Sequence, residues 1–239
     1  MSDQYEYKRI LLKLSGEILA GNEKFGLNYP AINEICSEIA TVAKAGIEIA
    51  MVVGGGNFIR GARAEGQGMD RVQADQMGML ATVINALALQ NALEQLGMPT
   101  RVQTAIEMRS IAEPFITRRA IRHLEKGRIL IFAAGTGSPF FSTDTAAALR
   151  ASEIKSDCLL KATKVDGIYD KDPTEFKDAK FLPEVSFADA IQKQIKVMDG
   201  AAFSLCMENK MPIIVFDVRR RGSLTKLLLE GERTGSVVS

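Results

Sequence analysis

The sequence predicts an α/β domain, an αβα sandwich whose sheet is mainly parallel. Two observations carry that prediction. Short apolar runs rich in Ile, Val and Leu alternate with longer stretches of helical periodicity, as in strand–helix–strand units. Several of these runs are apolar at consecutive positions, which strands covered on both faces require. At 239 residues, 46% hydrophobic and 25% charged, the chain can bury a sizeable core.

The elements follow in order. KRILLKL (8–14) reads as the first strand and ends in a lysine-bearing turn, KLSGE (13–17). A helix spans 29–45, and IEIAMVV (47–53) is a strand that runs into GGGN (54–57). A long helix over 70–96 leads to the strand TRVQT (100–104), and a helix over 114–125 leads to RILIFA (128–133). That strand opens into AAGTGSPFFSTDTAA (133–147), which enters a helix over 143–156. DCLLKA (157–162) continues into KATKVDGIYDKDP (161–173); a helix over 199–209, the strand PIIVFDV (212–218) and a helix over 223–230 complete the pattern. No linker, low-complexity tract or repeat interrupts it, so 1–239 is read as one domain. In sheets of this kind ligands bind outside the carboxyl ends of the strands.

The helix within 75–97 is apolar on more than one side. Met77, Leu80, Ile84, Leu87 and Leu93 follow helical spacing, and Met79, Val83, Leu89 and Leu96 widen the surface. Such a helix needs burial on more than one side. It is either a central core helix or one that also packs against a second subunit.

Composition excludes several classes. A net charge of +1 leaves no broad basic field for nucleic acid. Cys36, Cys158 and Cys206 form no CxxC pair and His123 is the only histidine, which argues against a Cys/His zinc site. No apolar run approaches ~18 residues, so no membrane span is expected. Free cysteines and a start unlike a signal peptide suggest a cytoplasmic setting.

Four strand-end loops could carry chemistry. In KLSGE, Lys13 offers charge, and Ser15 and the Gly16 amide offer donors to a phosphate; the alternative is a solvated lysine at a turn. GGGN lacks the lysine of a P-loop and the spacing of a dinucleotide fingerprint. Its consecutive amides can form an anion nest with Arg60 just beyond, or it is a structural turn. In the third loop Gly135 and Gly137 permit close approach, and Phe140 and Phe141 offer apolar surface to a base. Asp144, at a helix start, either caps amides or orders lysines or a metal. In the fourth, Tyr169 suits an adenine and Asp172 a ribose, unless the stretch is only a charged surface loop.

The ordered set KLSGE, GGGNxxRG, a helix carrying MGMLAT, AGTGxPxxxTD and KxxKVDGxYxxDP resembles the uridylate kinase branch of the amino-acid kinase superfamily, from about residue 8 to the C-terminus. The resemblance implies the carbamate kinase-like fold and transfer of the γ-phosphate of ATP to UMP in pyrimidine nucleotide synthesis. Magnesium would arrive with ATP, without a dedicated protein site. Lys13, Leu14, Ser15, Gly16, Gly56, Arg60, Thr163, Tyr169 and Asp172 would hold ATP. Gly55, Asp75, Thr136, Gly137, Ser138, Pro139, Phe140, Phe141, Ser142 and Thr143 would hold UMP, with Asp75 at its ribose. Lys13, Arg60, Asp144 and Asp199 would form the catalytic surround.

The same resemblance implies a homohexamer, activation by GTP between subunits and inhibition by UTP. Some relatives carry basic residues on the exposed side of the apolar helix, where this chain has Gln90, Asn91 and Glu94. Arg101 and Arg128 remain as candidate GTP contacts. Two other readings are a kinase of this fold with a carboxylate or carbamate acceptor, and a non-catalytic nucleotide- or oxoanion-binding protein. The PFFSTD stretch and Asp75 speak against the first, and Lys13, Arg60 and Asp144 together against the second.

Overall fold

The sheet is organised around β1 (Arg9–Leu14), its central strand. The computed structural model describes residues 6–59, 68–171, 173, 175–195, 197–232 and 234–239. After β1 come α1 (Gly16–Leu19), α2 (Tyr29–Lys44), β2 (Glu48–Val53), α3 (Arg71–Gln95), β3 (Thr100–Thr104), β4 (Glu113–Pro114), α4 (Thr117–Glu125), β5 (Ile129–Ala133) and α5 (Thr143–Glu153). The second half holds β6 (Cys158–Thr163), β7 (Ile168–Tyr169), β8 (Phe181–Leu182), β9 (Glu184–Val185), α6 (Phe187–Gln192), α7 (Gly200–Glu208), β10 (Ile213–Asp217), α8 (Ser223–Thr225), a π-helical turn (Lys226–Glu230) and β11 (Ser236–Val238). Among the described residues one nine-stranded sheet runs β4-β3-β5-β2-β1-β6-β10-β11-β9, and β7 and β8 form a separate hairpin. All its pairings are parallel except β10 with β11.

The two-residue period of the strands sorts the core into two layers. Ile10, Leu12, Leu14, Ile49, Met51, Val53 and Leu160 pack with α2 and α3. Leu11, Ala50, Val52, Leu130, Phe132 and Leu159 pack with α4, α5 and α7 on the other face. Lys13 and Lys161 occupy the strand positions next in phase with this second face, and the β1–β6 register sets them side by side.

The long helices begin where their caps are. Asn28 accepts from the Ala31 amide at the start of α2, with Pro30 in the first turn, where its missing N–H costs nothing. Asp70 accepts from the Gln73 amide to start α3. The predicted helix over 114–125 is corrected at its start: Glu113 and Pro114 pair with β3 as an edge strand, and α4 begins at Thr117. An edge tolerates a residue without an N–H. Helix α5 ends at Glu153, short of the predicted Ser156, and the 223–230 segment is split between α8 and the π turn.

Helix α3 divides the apolar segment between two environments. Met79, Val83, Leu89 and Leu93 are buried in the core, Leu89 completely. Met77, Leu80 and Ile84, at helical spacing on another face, are 46%, 52% and 47% exposed. Among the described residues no helix is long and apolar enough to cross a membrane.

Candidate active site

Four loops leave β5, β2, β1 and β6, which are consecutive neighbours in the sheet, at their carboxyl ends. This is the edge where open α/β sheets bind ligands. The KLSGE and GGGN loops lie against each other. The Gly54 amide donates to the Leu14 carbonyl at 2.9 Å. A Cβ on Gly16 would lie 2.6 Å from the Gly54 oxygen and 2.9 Å from the Gly56 nitrogen. A Cβ on Gly55 would lie 2.6 Å from the Gly78 oxygen in α3. These glycines are therefore needed for backbone-to-backbone approach. The Leu14 side chain is buried in the core, so it can offer a ligand only its backbone.

At the start of α5 the sequence left Asp144 as either a cap or an orderer of lysines. Ser142 is the cap: its hydroxyl oxygen accepts from the Asp144 and Thr145 amides at 3.0 and 3.2 Å. Asp144 is thereby free to bridge Lys13 Nζ at 2.8 Å through Oδ1 and Lys161 Nζ at 2.7 Å through Oδ2. The Lys161 bond is well aligned, whereas the Lys13 pair is a charge contact in which Oδ1 finds no aligned donor. Lys161 also donates to the Val197 carbonyl at 2.6 Å, which holds it in place. Lys13 has the looser geometry and can turn toward an anion without breaking an aligned bond.

Asp199 closes the cluster. It caps α7 by accepting from the Ala202 amide at 2.9 Å, and it accepts from the Thr145 hydroxyl at 3.0 Å and from the Ser142 hydroxyl. Burial pushes the Asp144 carboxyl up, but the charges of Lys13 and Lys161 outweigh it and hold the group below its ordinary range. Lys161 is depressed, first by burial and further by Lys13, against the pull of Asp144. Two ammonium groups share the Asp144 carboxylate, with Asp199 acting on Lys161 from farther off; an incoming phosphate would compete with Asp144 for the Lys13 charge.

Beside this cluster lies a cavity of about 140 Å³ whose walls include Gly55, Asp75, Thr136, Ser138, Phe141 and Thr143. Asp75 Oδ2 accepts from the Phe140 amide at 2.8 Å and from Arg71 Nε at 2.9 Å. The carboxylate that faces the cavity thus also ties α3 to the loop that closes it. The loop owes its shape to left-handed residues, including Gly137 (φ 82°) and Phe140 (φ 70°). Gly137, Pro139, Phe140 and Ser142 belong to this loop without lining the cavity; the Phe140 ring is exposed, with the Arg71 guanidinium 5.7 Å from its centroid.

Farther along the edge, the Thr163 hydroxyl lies 2.6 Å from the Val165 carbonyl and 3.2 Å from that of Phe216. The Tyr169 hydroxyl donates to Asp166 at 2.7 Å, which raises its pKa, and its ring meets Phe181 edge-on. Arg60 and Asp172 lie outside the described residues. Lys161 was not singled out as a site residue. Its signal was the lysine opening KATK, whose meaning appears only once β6 is known to pair with β1.

The two candidate GTP contacts meet on another face. Arg128 approaches His123 Nδ1 at 3.0 Å, His123 Nε2 approaches Glu113 at 3.0 Å, and Arg101 stands 4.0 Å from the same carboxylate. Burial pushes Glu113 up, yet its bonds to His123 and Gln103 prevail and its carboxyl lies low. An open cavity of about 390 Å³ is lined there by Arg119, Arg122, Lys126 and Arg128 together with Glu113 and His123. Arg101 is also drawn toward Glu94, at 3.7 Å.

Residues 8–217 match the Amino acid kinase family. The chain is similar to the UMP kinase from Bacillus anthracis at 39% identity, covering 98% of this chain and 96% of that one with a TM-score of 0.94. It is similar to the UMP kinase from Ureaplasma parvum at 37% identity, covering 97% and 98% with a TM-score of 0.91. A uridylate kinase from Archaeoglobus fulgidus aligns at 26% identity over 96% and 99%, with a TM-score of 0.74. With the match running from β1 through β10 and the likeness extending over nearly the whole of each chain, the protein belongs to the amino acid kinase family.

Proposed function

We propose that this chain, as one domain over 1–239, is an ATP-dependent UMP kinase that transfers the γ-phosphate of ATP to UMP. The observation that carries the reading is the cavity over Asp75 set beside the Lys13–Asp144–Lys161 cluster. UMP occupies the cavity, its ribose toward Asp75 and its base within the 136–143 loop. ATP lies across the KLSGE loop toward Thr163, Tyr169 and Asp172. The acceptor oxygen is a phosphate oxygen already ionised at neutral pH, so no general base is required. Rate then comes from alignment and from neutralising charge on the transferring group. Lys13 follows that charge, Lys161 and Asp144 keep Lys13 aimed, and Arg60 is assigned to the same surround.

Among the described residues no three His, Cys, Asp or Glu side chains are gathered for a metal, and Asp144 is engaged by two lysines. In this reading magnesium would arrive with ATP, whose phosphates would hold it and whose charge it would neutralise. The three cysteines are free and buried, in keeping with a cytoplasmic setting.

A coupled assay offering ATP with UMP, CMP, glutamate or carbamate tests the assignment. UMP should be strongly preferred, because a site that hydrogen-bonds one edge of uracil leaves polar groups unpaired against cytosine. Equal efficiency with CMP, or turnover of a carboxylate instead, refutes it. In the same assay UTP should inhibit and yield to added UMP, since it carries the same base and ribose. GTP should activate through Arg101 and Arg128. Inhibition that saturating UMP leaves untouched would move UTP to another site, and a flat GTP titration would remove the activation.

The assembly is read as a homohexamer, a trimer of dimers, with the Met77–Leu80–Ile84 face between subunits. Leu89 is core, so the informative substitution is Leu80→Asp. It should leave the fold intact and lower the mass seen by light scattering. An unchanged mass would free this face from the interface.

A further inference from the structure

The GGGN loop ends on Asn57, 2% exposed, and α3 presents Asn85, 0% exposed, directly to it. The two carboxamides bond each other twice. Asn57 Nδ2 donates to Asn85 Oδ1 at 3.0 Å, and Asn85 Nδ2 donates to Asn57 Oδ1 at 2.8 Å. Each amide spends its second N–H on the backbone: Asn85 donates to the Gly54 carbonyl at 2.7 Å, and Asn57 donates to the Gly26 carbonyl at 2.8 Å. The Gly26 amide returns a bond to the Asn57 carbonyl at 3.0 Å. Every side-chain donor of the pair is used. Turning either amide over would set NH₂ against NH₂ and oxygen against a backbone carbonyl, so the network admits one orientation.

The pair stands where a displacement would matter. Asn57 Oδ1 is the nearest atom that a Cβ on Gly16 would meet, so the carboxamide rests on the KLSGE loop itself. Gly54, held by Asn85, is the residue whose amide closes on Leu14. Gly55, next in the chain, lines the cavity beside Asp75. The segment 20–28 is drawn in as well, through Gly26 and through the edge-on contact of Phe25 with Phe58, whose centroids are 5.4 Å apart.

We infer that Asn57 and Asn85 act as one positioning unit for phosphoryl transfer, fixing the Gly54–Gly56 backbone against the KLSGE loop. They touch neither nucleotide; they set the spacing between the two loops that do. This rests on the reading of those loops as the phosphate-holding elements. A buried polar network that is fully satisfied rigidifies what it joins, and phosphoryl transfer is sensitive to misplacement of about 1 Å.

The test compares Asn57→Ala, Asn85→Ala and the double variant of the full-length chain, assayed with ATP and UMP well below each melting temperature. Each single variant should lower kcat by about ten- to a hundred-fold. KM for UMP should stay within roughly three-fold, because the cavity walls other than Gly55 remain. The double variant should be no worse than the poorer single, as expected of two residues acting as a unit. Normal kcat per folded molecule, or losses that multiply, would overturn the inference. Should Asn85→Ala fail to fold, Asn57→Ala, which keeps the Asn85–Gly54 bond, decides alone.

A second readout does not depend on turnover. Amide exchange of the ligand-free chain should quicken about ten-fold or more over 14–18 and 54–57, with the β3–β5 region unchanged. Unaltered protection over 54–57 would overturn the inference even if the wild-type chain proved inactive toward UMP. That inactivity would count against the kinase reading instead.

Discussion

Lys13→Ala is expected to lower turnover roughly a hundred- to thousand-fold, equivalent to about 3–4 kcal/mol of transition-state stabilisation, while UMP affinity changes little. The basis is geometric. Lys13 stands one residue before the end of β1 among the buried strands, its ammonium meets Asp144 without an aligned hydrogen bond, and the cavity over Asp75 is lined by other residues. Under the proposed function the charge would meet the group in transfer rather than the uracil. Steady-state kinetics with UMP, paired with direct UMP titration, separates the two effects. A variant with near-normal kcat would put Lys13 outside the reaction.

Asp144→Ala is expected to cost about 3–5 kcal/mol of stability, as removing one partner of a buried ion pair does, and to abolish most activity. Lys13 and Lys161 would be left buried, like-charged and adjacent, with the Val197 carbonyl as the one bonded acceptor among the described residues and Asp199 at longer range. The pH dependence follows from the direction of the Asp144 shift. Its carboxyl lies lower in the folded chain than in the unfolded one. Its stabilisation is therefore complete above the unfolded value of about 3.9 and is lost as pH falls through the lower folded value. Thermal melts between neutral and acid pH should show the wild type losing part of its advantage over Asp144→Asn on the acid side. Parallel melting curves for the two proteins across that range would contradict the ion-pair account.

The strands were legible because burial on both faces leaves continuous apolar runs. TRVQT (100–104) was found to the residue, and the other five fall within one residue of each predicted end. The short elements were not legible. β4, β7, β8 and β9 are two residues long, and β11 is three, too short for any period to register. Pro114 was read as a helix start because proline suits that position, but it also suits an edge.

The site divides in the same way. Loops carrying Lys13, Gly54–Gly56 and Thr136–Thr143, with the helix that carries Asp75, could be recognised as an ordered set. The reason for each glycine could not, because the backbone that crowds Gly55 belongs to α3, twenty-three positions later at Gly78. The partnership of Lys161 with Lys13 likewise needs the β1–β6 register, and the Asn57–Asn85 pair needs the packing of α3 against the GGGN loop.

The strand order has a consequence for how the chain comes to be made. Everything on one side of β1 (β2, β5, β3 and β4) precedes residue 134, and everything on the other side (β6, β10, β11 and β9) follows residue 157. During synthesis the emerging amino-terminal half can pair its own strands, but β1 then stands as an open edge, since its second neighbour begins at Cys158. That edge carries Ile10, Leu11 and Leu12, the kind of unprotected apolar strand that invites pairing with another chain. The interval in which the ribosome translates α5 and its flanks is therefore the vulnerable one. The arrival of β6 ends it by capping that edge, and in the same step it carries Lys161 to Lys13.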